Sequence, residues 1–164
     1  MTVMPRTGPL DFTARLIATA GGAGHVPLMP GTAGALVGVG LFLAVASLGM
    51  GQFYFPGLVI LTAAGVWAAG KVEAHYGHDA PVIVIDEVVG QLIALAPIGP
   101  WDGSMLLRVV AGFALFRFFD ILKPFPIRRL EGFGGGFGVM ADDIGAGVFA
   151  LLGAQILGRL VEIP

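Results

Sequence analysis

Two uncharged runs lie back to back in this chain. Ala33 to Gly51 carries no charged residue over 19 positions, and Gln52 to Gly70 carries none over another 19. A helix needs about 20 mostly apolar residues to cross a hydrocarbon core. Gly49–Gly51 and Pro56 punctuate the junction, so the runs read as an antiparallel hairpin of two membrane helices. Composition points the same way. Of 164 residues, 56% are hydrophobic and 12% charged, where a soluble domain carries roughly 25% charged. Disorder is excluded, because it needs low hydrophobicity and high charge. An ordinary soluble enzyme is disfavoured, because so few charges cannot cover its surface. The net charge of -2 and the lack of a long basic tract speak against nucleic acid as a partner. With no cysteine, disulfides, zinc ribbons and thiol nucleophiles are excluded.

Beyond Lys71 the apolar runs shorten. Val88 to Trp101 is uncharged for 14 residues and Ile144 to Gly158 for 15; Leu106 to Phe119 is interrupted by Arg108 and Arg117. The pattern predicts an all-α, polytopic membrane bundle of about five helices, near 33–50, 55–70, 85–99, 104–122 and 142–160. The last three are short for full spans, which leaves open that they are core helices entering the membrane only in part. The whole chain, 1–164, reads as one domain. Residues 1–24 form a cytoplasmic or interfacial segment: Arg6, Asp11 and Arg15 interrupt any secretory signal. An amphipathic turn or two at 10–20 would set Leu10, Ala14 and Ile17 on one side. Gly34 and Gly38, and the alanines Ala146, Ala150 and Ala154, have the small-residue spacing that lets helices approach closely. Trp67, Trp101 and Tyr54 near the ends of the spans read as interfacial anchors.

Positive charge gathers at Arg6 and Arg15, at Lys71, and at Lys123, Arg128 and Arg129, whereas 49–54 and 100–103 hold none. The positive-inside rule places the N-terminus, 71–85 and 123–141 in the cytoplasm and, with five spans, the C-terminus outside. Asp79, Asp86, Glu87, Asp120, Asp142 and Asp143 then converge on one cytoplasmic rim, with the Gly31-Thr32 start of the first span. Singly, these acids have plain explanations. Asp86 and Glu87 suit a helix first turn, and Asp142 suits an N-cap with Asp143 behind it. Asp120 suits no cap, since it sits where Pro124 ends a helix and the dipole opposes negative charge; a simple pair with Arg117 is its plain reading. Together the acids form a hard, all-oxygen set of the kind magnesium takes. Arg117, Lys123, Arg128 and Arg129 beside them suggest a phosphate ester as substrate. Thr32 is either an N-cap or part of a phosphate-binding helix start. The glycine run 132–138 matches no nucleotide fingerprint and reads as a connector or a mobile flap. His25, His75 and His78 read as weak signals, the latter two in a solvated loop.

Four segments resemble one family. Val84-Ile85-Asp86-Glu87-Val88-Val89-Gly90, the stretch Phe116 to Ile127, the stretch Gly136 to Gly147, and Gly31-Thr32-Ala33-Gly34 are similar in order and spacing to the signatures of phosphatidylglycerophosphatase A. The resemblance covers about residues 25–155. It implies a magnesium-dependent lipid phosphatase of the bacterial inner membrane, with its site facing the cytoplasm. Such an enzyme removes the terminal phosphate of phosphatidylglycerophosphate. Asp79, Asp86, Glu87, Asp120, Asp142 and Asp143 carry over as metal ligands, and the last five as catalytic. Arg117 and Lys123 carry over as phosphate contacts, and Thr32 and Arg128 are candidates of the same kind. The expected mechanism is magnesium polarising the phosphate while a bound water attacks, with a carboxylate nucleophile as the second route. This chain departs from the family at His78, where Lys is frequent, and at Ala35, where Ser is frequent. A transporter using the acids as an ion relay would want them at the midplane rather than at helix ends. A CDP-alcohol phosphotransferase would want a Gly and an Arg that Asp142–Gly147 lacks. A non-catalytic membrane subunit would leave the acids unexplained. Oligomeric state stays open.

Overall fold

The computed structural model describes residues 11–77, 80–97, 105–130 and 132–161. Its helices in chain order are α1 (Phe12–Ala18), α2 (Pro30–Ser47), α3 (Tyr54–Tyr76), α4 (Ile85–Ala94), α5 (Met105–Leu122), α6 (Ile127–Leu130) and α7 (Gly135–Val161). Short 3-10 turns at Ala20–His25 and Gly51–Phe53 join the first three. No strand occurs among the described residues. By length and composition, Pro30–Ser47, Gly51–Tyr76 and Gly135–Arg159 can each cross a membrane. The chain is a helical membrane bundle.

The third expected helix, 85–99, is shorter than its apolar run. At ten residues, α4 rises only about 15 Å, half of a hydrocarbon core. It packs against α7, α2, α3 and α5, and Val88, Val89, Gln91 and Leu92 are all buried. A helix that stops inside a bundle leaves its last carbonyls without partners. Two side chains from other helices supply them. Tyr54 Oη donates to Leu92 O at 2.5 Å. Arg108 Nη2 donates to Ala96 O at 2.7 Å and to Leu95 O at 3.2 Å. Tyr54 is therefore 5% exposed and not an interfacial anchor, and Arg108 caps a helix rather than simply interrupting one. Arg108→Met should lower unfolding free energy by about 2 kcal/mol, the cost of stranding buried acceptors. Thermal unfolding in detergent, against the parent protein, measures it.

Helix starts differ from expectation for tertiary reasons. α2 begins at Pro30, whose fixed φ suits the first turn. The N-cap is Met29, so Thr32 lies inside the turn and is not a cap. α7 begins at Gly135, seven residues before the expected 142. A Cβ on Gly136 would overlap Val66 O and Gly70 N of α3. That close approach makes the second half of the glycine run helix, not flap. Asp142 and Asp143 accordingly sit two turns inside α7 and cap nothing. The glycines of α2 also work within the chain: a Cβ at Gly34 would lie 2.8 Å from Val84 O, and one at Gly38 2.9 Å from Val88 O.

The helices alternate in direction. α2, α4 and α7 start at one end of the bundle; α3 and α5 finish there. α1 joins that end, with Ala14 and Ala18 buried and Phe12 and Leu16 exposed. Lys71 Nζ donates to Asp11 Oδ2 at 3.0 Å, which holds the Asp11 carboxyl below its usual range. Trp67, 42% exposed, lies 4.8 Å under the Lys71 ammonium. Among the described residues, Arg15, Lys71 and the Lys123–Arg129 segment thus share one end, as the charge pattern predicts; Arg6 lies outside the described residues. Asp79, His78 and Trp101 lie outside the described residues.

Candidate active site

The shared end holds the acids. Asp86 and Glu87 occupy the first turn of α4, and Glu87 N donates to Asp86 Oδ1 at 3.1 Å. Asp143 comes from α7. A Cβ on Gly90 would press on Asp143 O and on the Phe116 ring, so glycine there lets α7 and α5 close onto α4. As a result Asp86, Glu87 and Asp143 each place one carboxylate oxygen within 4.8 Å of the other two. Asp143 is only 4% exposed. Burial raises the carboxyls of both Asp86 and Glu87 above their ordinary range, and for Asp86 the neighbouring Glu87 charge adds to it. Glu87 Oε2 is buried and has no hydrogen-bond partner. Like charges held this close out of water are costly unless a cation joins them. An all-oxygen set of this kind fits magnesium.

Around the inner three stands an outer ring. Asp120 lies beside Asp143 and Glu87, and its Oδ2 is 2.7 Å from Arg117 Nη1. That nitrogen is buried and its N–H groups miss hydrogen-bond geometry, so the guanidinium retains donor capacity. Lys123 Nζ donates to Asp142 Oδ2 at 2.7 Å. Lys123 has a φ of 42°, outside the helix that Pro124 ends. Gly31, in the first turn of α2, abuts both Glu87 and Arg117.

Asp86, Glu87, Asp120, Asp142, Asp143, Arg117 and Lys123 therefore come together from α4, α5, α7 and the turn after α5. Thr32 is half-buried next to Gly31, at the edge of this group. Arg128 is exposed on α6, and its neighbour Arg129 lies 4.8 Å from the Phe125 ring. His75 lies in the last turn of α3 against Tyr76, not in a loop. Ala35, where the family frequently has Ser, is fully buried, so it belongs to the core of this chain. One residue escaped the sequence reading. Gln91, one turn along α4 from Glu87, is completely buried, and both ends of its carboxamide lack partners. Its signal was a lone amide four residues past an acid in an otherwise apolar run.

The profile of the family described as phosphatidylglycerophosphatase A matches residues 16–158. The chain belongs to the phosphatidylglycerophosphatase A family. It is 41% identical, over 87% of its length and 91% of the relative's, to a putative phosphatidylinositol-3-phosphatase of Bacteroides thetaiotaomicron. It is 40% identical to a phosphatidylglycerophosphatase A of Haemophilus influenzae, over 84% of this chain and 83% of that one. It is 35% identical to that of Escherichia coli, over 92% and 90%. No solved structure matches the chain significantly. Family membership makes it a phosphatase acting on a phosphate monoester.

Proposed function

We propose that this protein hydrolyses the terminal phosphate of phosphatidylglycerophosphate, giving phosphatidylglycerol and inorganic phosphate, with magnesium held by Asp86, Glu87 and Asp143. The observation that carries the reading is the meeting of three carboxylate oxygens within 4.8 Å beside Arg117 and Lys123, in a member of this family. A magnesium ion in such a set neutralises charge on a phosphate ester and polarises it. The other roles belong to the chain. Arg117 is oriented by Asp120 and offers its remaining N–H donors to phosphate oxygens. Lys123, held by Asp142, adds a second positive charge where the phosphate would sit. Thr32 and the α2 first turn contribute at the rim. Asp79 and Arg128 stay as outer candidates. The positive segments at the same end favour a cytoplasmic site in a bacterial inner membrane, where headgroups made from cytoplasmic precursors are met.

The Bacteroides relative's name supports a second headgroup, a phosphorylated inositol. One assay separates the readings. Phosphate release from each lipid is followed in detergent, with magnesium and then with chelator. Release from the glycerol lipid should fall at least about a hundredfold in chelator, since metal stabilisation of transferred charge amounts to several kcal/mol. Faster release from the inositol lipid would move the substrate to that class. Release undiminished by chelator would overturn the metal assignment.

A further inference from the structure

We infer that Gln91 reads the hydroxyl next to the phosphate-bearing carbon of the lipid headgroup. The inference rests on the phosphatase reading above and adds a specificity-determining contact to it. Gln91 is 0% exposed, and neither its Nε2 nor its Oε1 has a partner. An amide buried this way carries a full desolvation cost, and an apolar side chain of the same shape would be more stable there. The carboxamide is not spent on the fold: the carbonyls at the end of α4 are taken by Tyr54 and Arg108. Its role is therefore sought in a bound molecule.

Position says which part of that molecule. Gln91 follows Glu87 by four residues on α4, on the same face. Helix side chains lean back toward the N-terminus, so the amide leans toward the carboxylate turn. Both residues face α2: Glu87 meets Gly31 and Gly34, and Gln91 meets Gly38. α2 and α5, which flank this face, touch each other only lightly. The α4 axis carries Gln91 about 6 Å deeper into the bundle than Glu87. A phospholipid headgroup has the same order. Its terminal phosphate is farthest from the acyl chains, the hydroxyl-bearing carbon comes next, and the diester lies deeper. With the phosphate at the acids and Arg117, the hydroxyl falls at the level of Gln91. A neutral group that both donates and accepts suits a hydroxyl, which does both. Glycerol and inositol headgroups alike present such a hydroxyl.

The test compares phosphatidylglycerophosphate with its counterpart built on propane-1,3-diol, which lacks only that hydroxyl. The full-length protein is assayed in detergent with magnesium, and kcat/KM is measured for both lipids. The parent protein should favour the hydroxyl lipid by about ten- to a hundredfold, because the deoxy lipid leaves a buried amide unpaired. Gln91→Met should bring that ratio to within about twofold. Its thermal midpoint should be no lower than that of the parent, since it removes unpartnered polar atoms. Gln91→Asn, which withdraws the amide by one methylene, should give an intermediate ratio and serves if the Met variant folds poorly. A parent ratio near one, or an unchanged ratio in both variants, would overturn the inference while leaving the phosphatase reading standing. A parent protein inert on both lipids and active on the inositol lipid moves the same comparison to inositol and its deoxy analogue. Inertness on all of them overturns the substrate reading and this contact together.

Discussion

Asp143→Asn should cut kcat for phosphate release about a thousandfold and, in metal-free buffer, make the protein more stable. The two effects have one cause. Asp143 is 4% exposed and shares a space 4.8 Å across with oxygens of Asp86 and Glu87. Without a cation, three carboxylates there repel one another in a low-dielectric setting. Replacing one by a neutral amide of the same shape relieves that repulsion, and a stabilising substitution typically gains about 0.5–2 kcal/mol. Activity moves the other way. Losing one anionic ligand weakens the hold on the metal, whose charge stabilisation is worth several kcal/mol, and about 4 kcal/mol corresponds to a thousandfold. Magnesium should therefore raise the thermal midpoint of the parent protein, as any ligand that binds only the folded state does, and leave that of the variant nearly unmoved. The checks are kcat in detergent and thermal unfolding with chelator and with magnesium. A variant that is less stable in chelator and still turns over would show that Asp143 is an ordinary buried acid.

The sequence made the acids legible because charge in so apolar a chain is conspicuous and expensive. Asp86, Glu87, Asp120 and Asp143 stood out in this way before any geometry was known, and so did the pairing of Arg117 with Asp120 at helical spacing. The spans α2 and α3 were equally plain, since 19 uncharged residues in succession have few other uses in a membrane chain; their partners were not, because α2 packs mainly on α4, and α3 on α7 and α1, rather than on each other. What stayed hidden depends on contacts between distant segments. Pro97 is a local stop for α4, since it pushes Ala96 out of helical geometry; what the local sequence hides is that Tyr54 and Arg108 donate to the carbonyls left at that end. Nothing local starts α7 at Gly135, where a glycine run argues for a loop. The helix begins there because Gly136 fits against Gly70 and Val66, and tertiary packing overrides weak propensity. That displacement turned Asp142 from an apparent cap into an interior residue. Gln91 was overlooked because it is uncharged and belongs to no spacing rule; only burial without a partner makes it visible.

Gly31→Ala should lower kcat/KM at least about a hundredfold while leaving α2 intact. On propensity alone the change is favourable, since alanine is better than glycine in a helix by about 1 kcal/mol. The cost arises across the helix interface. The new methyl would overlap Glu87 Oε1, lie 3.2 Å from Glu87 Cδ and crowd Arg117 Nη1 at 3.4 Å. The Glu87 side chain must swing away, which takes one oxygen out of the group of three and disturbs the guanidinium beside it. A displacement of about 1 Å at reacting groups costs on the order of a hundredfold in rate. Gly40→Ala, in the same helix, is the matched control, because a Cβ there meets nothing within 4 Å. It carries the same propensity gain and should keep its activity. The magnesium-dependent rise in thermal midpoint separates the causes: it should persist in Gly40→Ala and shrink in Gly31→Ala. If Gly31→Ala kept both the rise and the rate, Glu87 would not be a member of the metal-holding set, and the Gly-Thr-x-Gly start of α2 would owe its glycine to helix packing alone.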